Sequence, residues 1–285
     1  MHNFLETILS EKRREIAAAK LQQPLALLKE RVSALPAALP FSDALRAHSH
    51  PAIIAEIKRA SPSKGVIRAD LDPVQTARSF ADAGAACLSV LTDEKFFQGK
   101  LELIAQIKAE VDSIPVLRKD FICDLYQVWQ TRAAQADAVL LIVAALERPL
   151  FHALLLESSA ARLDVLIEVH TREELRIALE VISEACTSDS RIAYPLLGIN
   201  NRNLKTFVAN LDVTKDLIAW GRSRSQSFAV GLDALLVVAE SGIRKGADLK
   251  HLSAYGAGAF LIGESLVATG DPGENLRTLI TETQI

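Results

Sequence analysis

The stretch Ala52-Ile53-Ile54-Ala55-Glu56-Ile57-Lys58-Arg59-Ala60-Ser61-Pro62-Ser63-Lys64-Gly65 decides which α/β fold this chain can adopt. Its first half is a short apolar run rich in isoleucine, the pattern of a strand buried on both faces. A doubly wound nucleotide-binding sheet would normally follow its first strand with a Gly-x-Gly-x-x-Gly turn. Here the turn is Arg59-Ala60-Ser61-Pro62-Ser63-Lys64-Gly65 instead. Seven more such runs follow, at residues 86–91, 114–117, 138–143, 164–169, 196–199, 235–239 and 259–262. Their starts lie about 24 to 40 residues apart, the length of one βα unit. Segments of helical period separate them, as at residues 74–83 (Val74, Ala77, Phe80, Ala81), 101–107 (Leu101, Ile104, Ala105) and 173–182 (Leu175, Ala178, Leu179, Ile182). Thr171 ahead of Glu174 predicts a capping box, and Gly84, Asp137 and Gly258 stand where a helix gives way to a strand. Eight such units predict an α/β fold of the closed (βα)8, or TIM-barrel, type.

Residues 1–50 precede the first strand. They carry an amphipathic helix (Phe4, Ile8, Ile16) and a looser stretch through Pro36, Pro40 and Ser42. Fifty residues bury too little surface to fold dependably alone, so an N-terminal helical extension packed on one barrel domain spanning 1–285 is expected. The cluster Glu11-Lys12-Arg13-Arg14-Glu15 alternates in sign and reads as a solvated helix face.

Composition narrows the function. Hydrophobic residues make up 49% and aromatics only 5%, which predicts an aliphatic core. Thirty-two basic against 35 acidic side chains give a net charge of −3 with no basic tract, so nucleic acid is not an expected partner. Neither a membrane-length apolar run nor a signal-peptide pattern is present, and a soluble, cytoplasmic protein is expected. Cys87, Cys123 and Cys186 are odd in number and far apart, which argues for reduced thiols and against a zinc site or disulfide framework. No metal or cofactor is expected, and a monomer suffices.

In such barrels the chemistry sits at the C-terminal strand ends. Glu56 and Lys58 share one face at the end of the first strand, Lys119 ends the third, and Glu168 and His170 share a face at the end of the fifth. Asn200, Asn201 and Arg202 close the sixth, Glu240-Ser241-Gly242 the seventh and Gly263-Glu264-Ser265 the eighth. Charged groups are costly in a dry core unless paired. Gathered at the mouth they can pair and also meet a polar ligand. The last two loops supply glycine and hydroxyls, the usual makings of a phosphate site, with Lys58 and Ser61 closing it from the first loop.

These residues resemble the indole-3-glycerol-phosphate synthases of tryptophan biosynthesis, from roughly residue 5 to 280. The likeness rests on the quoted first stretch, Leu91-Thr92-Asp93 through Phe97-Gln98-Gly99, and Leu117-Arg118-Lys119-Asp120-Phe121. Leu166-Ile167-Glu168-Val169-His170, Gly198-Ile199-Asn200-Asn201-Arg202-Asn203-Leu204, Ala239-Glu240-Ser241-Gly242-Ile243 and Phe260-Leu261-Ile262-Gly263-Glu264 complete it. The segments 184–195 and 220–233 are longer than compact members need. The resemblance implies ring closure, decarboxylation and dehydration of 1-(2-carboxyphenylamino)-1-deoxyribulose 5-phosphate. Lys119 would be the general acid, given neighbouring cations or burial that lower its pKa toward neutral, and Glu168 the general base. Lys58 would pair with the substrate carboxylate, leaving open how the two lysines divide the acid work, and Glu56 would hold one of them. Asn200, Arg202 and Glu240 would frame the substrate hydroxyls and the catalytic groups. Ser61, Ser241, Gly242 and Gly263, with Glu264 beside them, would hold the phosphorylated end. Phe97, Phe121 and Leu140 would wall the aromatic end. A phosphoribosylanthranilate-isomerase-like enzyme would need a Cys where the first strand ends in Glu-x-Lys. A non-catalytic phosphate binder would not need Lys119 and Glu168.

Overall fold

The computed structural model describes residues 4–49, 51–62, 64–189, 192, 194–204 and 206–284. Ser63 of the first loop, and residues 190, 191 and 193 of the long segment 184–195, lie outside them. Eight parallel strands form the barrel: β1 (Ala52–Ile57), β2 (Cys87–Leu91), β3 (Val116–Lys119), β4 (Ala138–Ile142), β5 (Asp164–Val169), β6 (Leu196–Asn200), β7 (Val237–Glu240) and β8 (Ala259–Ile262). Each bonds to the next in sequence, and β8 closes on β1 through pairs such as Ile54↔Leu261. The third and seventh strands begin two residues later than expected. Pro115 has no N–H for the ladder, and Leu235 is held in a 3₁₀ turn by its bond to the Leu232 carbonyl. A shift of two leaves the facing of every side chain unchanged.

That alternation sorts the core. Ile53, Ala55, Leu88 and Val90 face the helices, while Ala52, Ile54, Cys87, Leu117, Leu140 and Leu166 fill the barrel interior. The helices used below are α1 (Phe4–Gln22), α2 (Leu25–Ser33), α3 (Phe41–Ala47), α4 (Pro73–Asp82), α5 (Glu94–Phe97), α6 (Glu102–Glu110), α7 (Leu125–Ala133), α8 (Arg148–Ala160) and α9 (Arg172–Ser188). The expected helical segments fall within α4, α6 and α9, give or take a residue at the ends. In α9 the apolar positions Leu175, Ala178, Leu179 and Ile182 are buried at helical spacing. Thr171 caps α9 by accepting from the Glu174 N–H at 3.2 Å. The return bond differs from the expected box, because Glu174 accepts from the backbone N–H of His170, one residue further out, at 2.7 Å.

The N-terminal segment runs the length of the barrel. α3 plugs its floor, with Phe41 and Leu45 in the inner core and the Ser42 N–H bonded to Asp164 Oδ2 at 2.7 Å. Asp137 does more than separate a helix from a strand. Its carboxylate accepts the N–H groups of Leu39 (2.8 Å) and Val116 (2.9 Å) and pairs with Lys108 (2.9 Å). α2 packs on α7, and α1 crosses to the opposite end, at the mouth.

The charged cluster on α1 is not uniformly solvated. Lys12 is buried, with Nζ 2.9 Å from Asp93, 3.1 Å from Asp120 and 2.8 Å from Glu15. It lies four residues from both Ile8 and Ile16, on the buried stripe of the helix. The long segment 220–233 folds back on itself, Asp233 meeting Arg222 and Ser225 at 3.2 Å each. The three cysteines are free thiols, Cys87 buried and the others partly so.

Candidate active site

Every residue named above as catalytic or substrate-binding lines one cavity of about 160 Å³ at the C-terminal mouth of the barrel. The inward positions turn from apolar to charged along each strand: Ile54 then Glu56, Leu117 then Lys119, Leu166 then Glu168, Val238 then Glu240.

Lys119 stands at the centre. Its Nζ donates to Glu168 Oε2 at 2.8 Å and lies 3.5 Å from Glu240 Oε2. Burial works against the ammonium, but Glu168, Glu240 and Glu56 outweigh it and raise the lysine above its ordinary pKa. A lysine lowered toward neutral was expected. The burial that expectation allowed for is present, but the neighbours are carboxylates in place of cations and outweigh it. Burial also opposes charge on Glu168, yet Lys119 and His170 hold its carboxyl well below the usual range. Glu240 is pushed the other way, first by burial and then by the charge of Glu168, with Lys119 opposing. Lys119 thus lies between two buried glutamates whose carboxyls are shifted in opposite directions, Glu168 down and Glu240 up. Gly198, opposite Glu168 in the β5–β6 register, makes room for Glu240, since a Cβ there would collide with its carboxyl.

Lys58 donates to Glu56 Oε1 across the end of β1. Glu56 in turn rests on Gly263, where a Cβ would strike its carboxylate. Gly263 thus clears space for a side chain as well as opening the start of the short helix Glu264–Val267. After β7, Ser241 and Gly242 are both left-handed, at φ 66° and 82°. A Cβ on Gly242 would also press on Ala209 at 3.0 Å. Asn201 pins this turn: its backbone N–H and its Nδ2 both donate to the Glu240 carbonyl, at 2.9 and 3.0 Å. Ser265 Oγ ties the eighth loop to the seventh by donating to the Ile243 carbonyl at 2.9 Å. Arg202 reaches Glu264 Oε2 at 3.1 Å and the Phe207 carbonyl at 3.0 Å.

The apolar side holds Phe97 and Phe121, ring centres 6.1 Å apart, with Leu140. Sequence reasoning missed Phe4, Leu5 and Ile8 from α1, and Phe207 after β6, which line the same cavity. Phe4 packs edge-on against Phe207 at 5.8 Å, so the N-terminal helix meets the sixth loop across the mouth. Asp93 N-caps α5, which carries Phe97, by accepting from the N–H groups of Phe96 (2.7 Å) and Phe97 (3.2 Å). Asp120 accepts from Thr92 (2.6 Å), Arg118 (3.0 Å) and the Phe121 N–H (2.8 Å). Lys12 sits between these two aspartates and fastens α1 to the mouth.

Residues 5–279 match the family model described as indole-3-glycerol phosphate synthase. Proteins named indole-3-glycerol phosphate synthase from Dechloromonas aromatica (strain RCB) and Polaromonas sp. (strain JS666) are 44% and 45% identical over 282 and 284 residues. Those alignments cover 98% of this chain, and 99% and 98% of the two relatives. Among solved structures, KGPDC from Streptococcus mutans aligns with a TM-score of 0.57 at 13% identity, over 82% of this chain and 97% of its own. 3-Hexulose-6-phosphate synthase from Salmonella typhimurium aligns at 0.54 and 11%, over 82% and 98%. At such identities the structures share the barrel and carry no more than that.

Proposed function

Because the chain belongs to the indole-3-glycerol phosphate synthase family, we infer that it closes, decarboxylates and dehydrates 1-(2-carboxyphenylamino)-1-deoxyribulose 5-phosphate. The products are indole-3-glycerol phosphate, carbon dioxide and water. The observation that carries this reading is the pairing of Lys119 with Glu168 at 2.8 Å, between an apolar wall and a left-handed Ser-Gly turn. A non-catalytic phosphate binder would have no use for a buried acid–base pair. Such a pair costs desolvation energy that only chemistry or folding specificity repays.

The ring carbon bearing the carboxylate attacks the ketone carbon, and the developing alkoxide takes a proton from Lys119. A charged ammonium suits this step, since an alkoxide is the stronger base, so the raised pKa does not hinder donation. The C–CO₂ bond then breaks and its electrons restore the aromatic ring. In the dehydration, Glu168 removes a proton from the carbon next to nitrogen as the hydroxyl leaves. That hydroxyl departs as water, with its proton from a lysine ammonium, Lys58 being placed at the substrate carboxylate. Glu56 orients Lys58, and Asn200, Arg202 and Glu240 frame the hydroxyls and the acid–base pair. Ser61, Ser241, Gly242 and Gly263 hold the phosphate, flanked by Glu264, and Phe97, Phe121 and Leu140 hold the aryl ring. A monomer acting in the cytoplasm goes with this reading, and no described helix is long and apolar enough to cross a membrane.

The test is an indole-fluorescence assay with the carboxyphenylamino substrate. Turnover is expected, unaffected by a metal chelator, because Lys119 and Lys58 supply the positive charge. A chain that binds the substrate but never yields indole would refute the assignment.

A further inference from the structure

His170 follows β5 directly and does not line the cavity, yet it touches the proposed base. Its side chain, 8% exposed, lies between two carboxylates: Nε2 is 3.3 Å from Glu168 Oε1, and Nδ1 is 3.1 Å from Glu174 Oε2. Glu174 belongs to the first turn of α9 and cannot easily swing away. The same Oε2 accepts the His170 backbone N–H at 2.7 Å, and Oε1 accepts from Thr171 Oγ1 at 3.1 Å. The ring is thus clamped by the helix start. Glu168 is in turn faced at both oxygens, Oε2 by Lys119 and Oε1 by His170. The charges alternate along the line Lys119, Glu168, His170, Glu174.

This arrangement matters once substrate is bound. Lys119 then turns to the ketone and gives up its proton, so it no longer neutralises Glu168. A buried carboxylate that loses its counter-charge tends to take a proton and stop being a base. His170 is the cation that remains. We propose that His170 is a positioning residue for Glu168: clamped by Glu174, it keeps a cation beside the carboxylate and so holds its charge while Lys119 is engaged with substrate. The proposal rests on Glu168 being the base.

The charged groups facing the imidazole are Glu168 from β5 and Glu174 from α9. Burial opposes the imidazolium, but these two carboxylates outweigh it and push its pKa up to about 10, so the ring stays charged through the neutral range. Lys119 from β3 and Glu240 from β7 face Glu168 itself.

The test is the pH dependence of kcat, which reports groups in the substrate complex, for wild type, His170→Gln and Glu174→Gln. Glutamine keeps a donor near Glu168 and removes the charge. The acid limb of kcat in His170→Gln should move to higher pH by about 1–3 units, the usual effect of a close opposite charge. Activity should recover at alkaline pH and KM should change little. Glu174→Gln, which leaves the imidazole in place but loosens it, should move the limb in the same direction by less. If either folded variant melts at lower temperature yet keeps the wild-type acid limb, His170 is only structural and the proposal is overturned. Should His170→Gln not fold, an unshifted limb in Glu174→Gln decides the matter the same way. Normal turnover in Glu168→Gln would instead overturn the underlying assignment of the base.

Discussion

Lys119 Nζ lies 2.8 Å from Glu168 Oε2 although their strands, β3 and β5, are separated in the barrel by β4. The side chains reach past β4 at the mouth, where the proposed acid and base pair with one another. The ion pair satisfies two buried charges, each costly to leave alone in a dry site.

Gly242 tests the phosphate end. Its positive φ strains any side chain placed there, and a Cβ would press on Ala209 at 3.0 Å. Gly242→Leu should raise KM by about 10–100-fold, the worth of one or two charge-assisted hydrogen bonds. It should lower kcat much less, because phosphate grip is largely uniform binding. Steady-state kinetics would count against the site if kcat fell and KM held.

Lys12 tests the N-terminal helix as part of the site. Lys12→Met leaves Asp93 and Asp120 without their shared cation and should cost roughly 3–5 kcal/mol in urea unfolding, the range for breaking a buried pair. It should also raise KM, since α1 carries Phe4, Leu5 and Ile8 into the cavity wall. A stability loss with unchanged KM would show that α1 merely buttresses the barrel.

Asp120 gives a pH test. Burial alone would raise its carboxyl, but Arg118 and Lys12 pull it down to about 2. A depressed carboxyl stabilises the fold above its ordinary pKa, and that stability is lost as pH falls through about 2. Asp120→Asn should therefore be less stable than wild type at pH 6, with the gap closing near pH 2. Thermal melts showing a constant gap across that range would contradict the account.

Much of this was legible in the sequence because strands advertise themselves twice, by an apolar run and by the polarity of its last inward residue. Counting the apolar runs predicted the barrel. Taking the residues at their ends collected Glu56, Lys119, Glu168, Asn200 and Glu240, which the structure places around one cavity. What was missed came from elements whose placement depends on tertiary packing. Phe4 and Phe207 are far apart in the chain and meet only because α1 crosses the mouth. Lys12 looked solvated beside four other charges, although its spacing from Ile8 and Ile16 placed it on the buried stripe. The raised pKa of Lys119 was also out of reach. It depends on which carboxylates converge from β1, β5 and β7, and no single strand reveals that.

The most direct test of the central claim separates the acid from the base. In rapid-quench single turnovers, carbon dioxide and indole are followed separately for Lys119→Met and Glu168→Gln. Each variant should lose about 10²–10⁴-fold in its own step, the usual range for a positioned acid or base. Lys119→Met should bind substrate but block ring closure, so neither product appears. Glu168→Gln should still close the ring and release carbon dioxide at a substantial rate while indole formation lags. If Glu168→Gln blocks carbon dioxide release as fully as Lys119→Met does, the two residues serve one step and the division of roles is wrong.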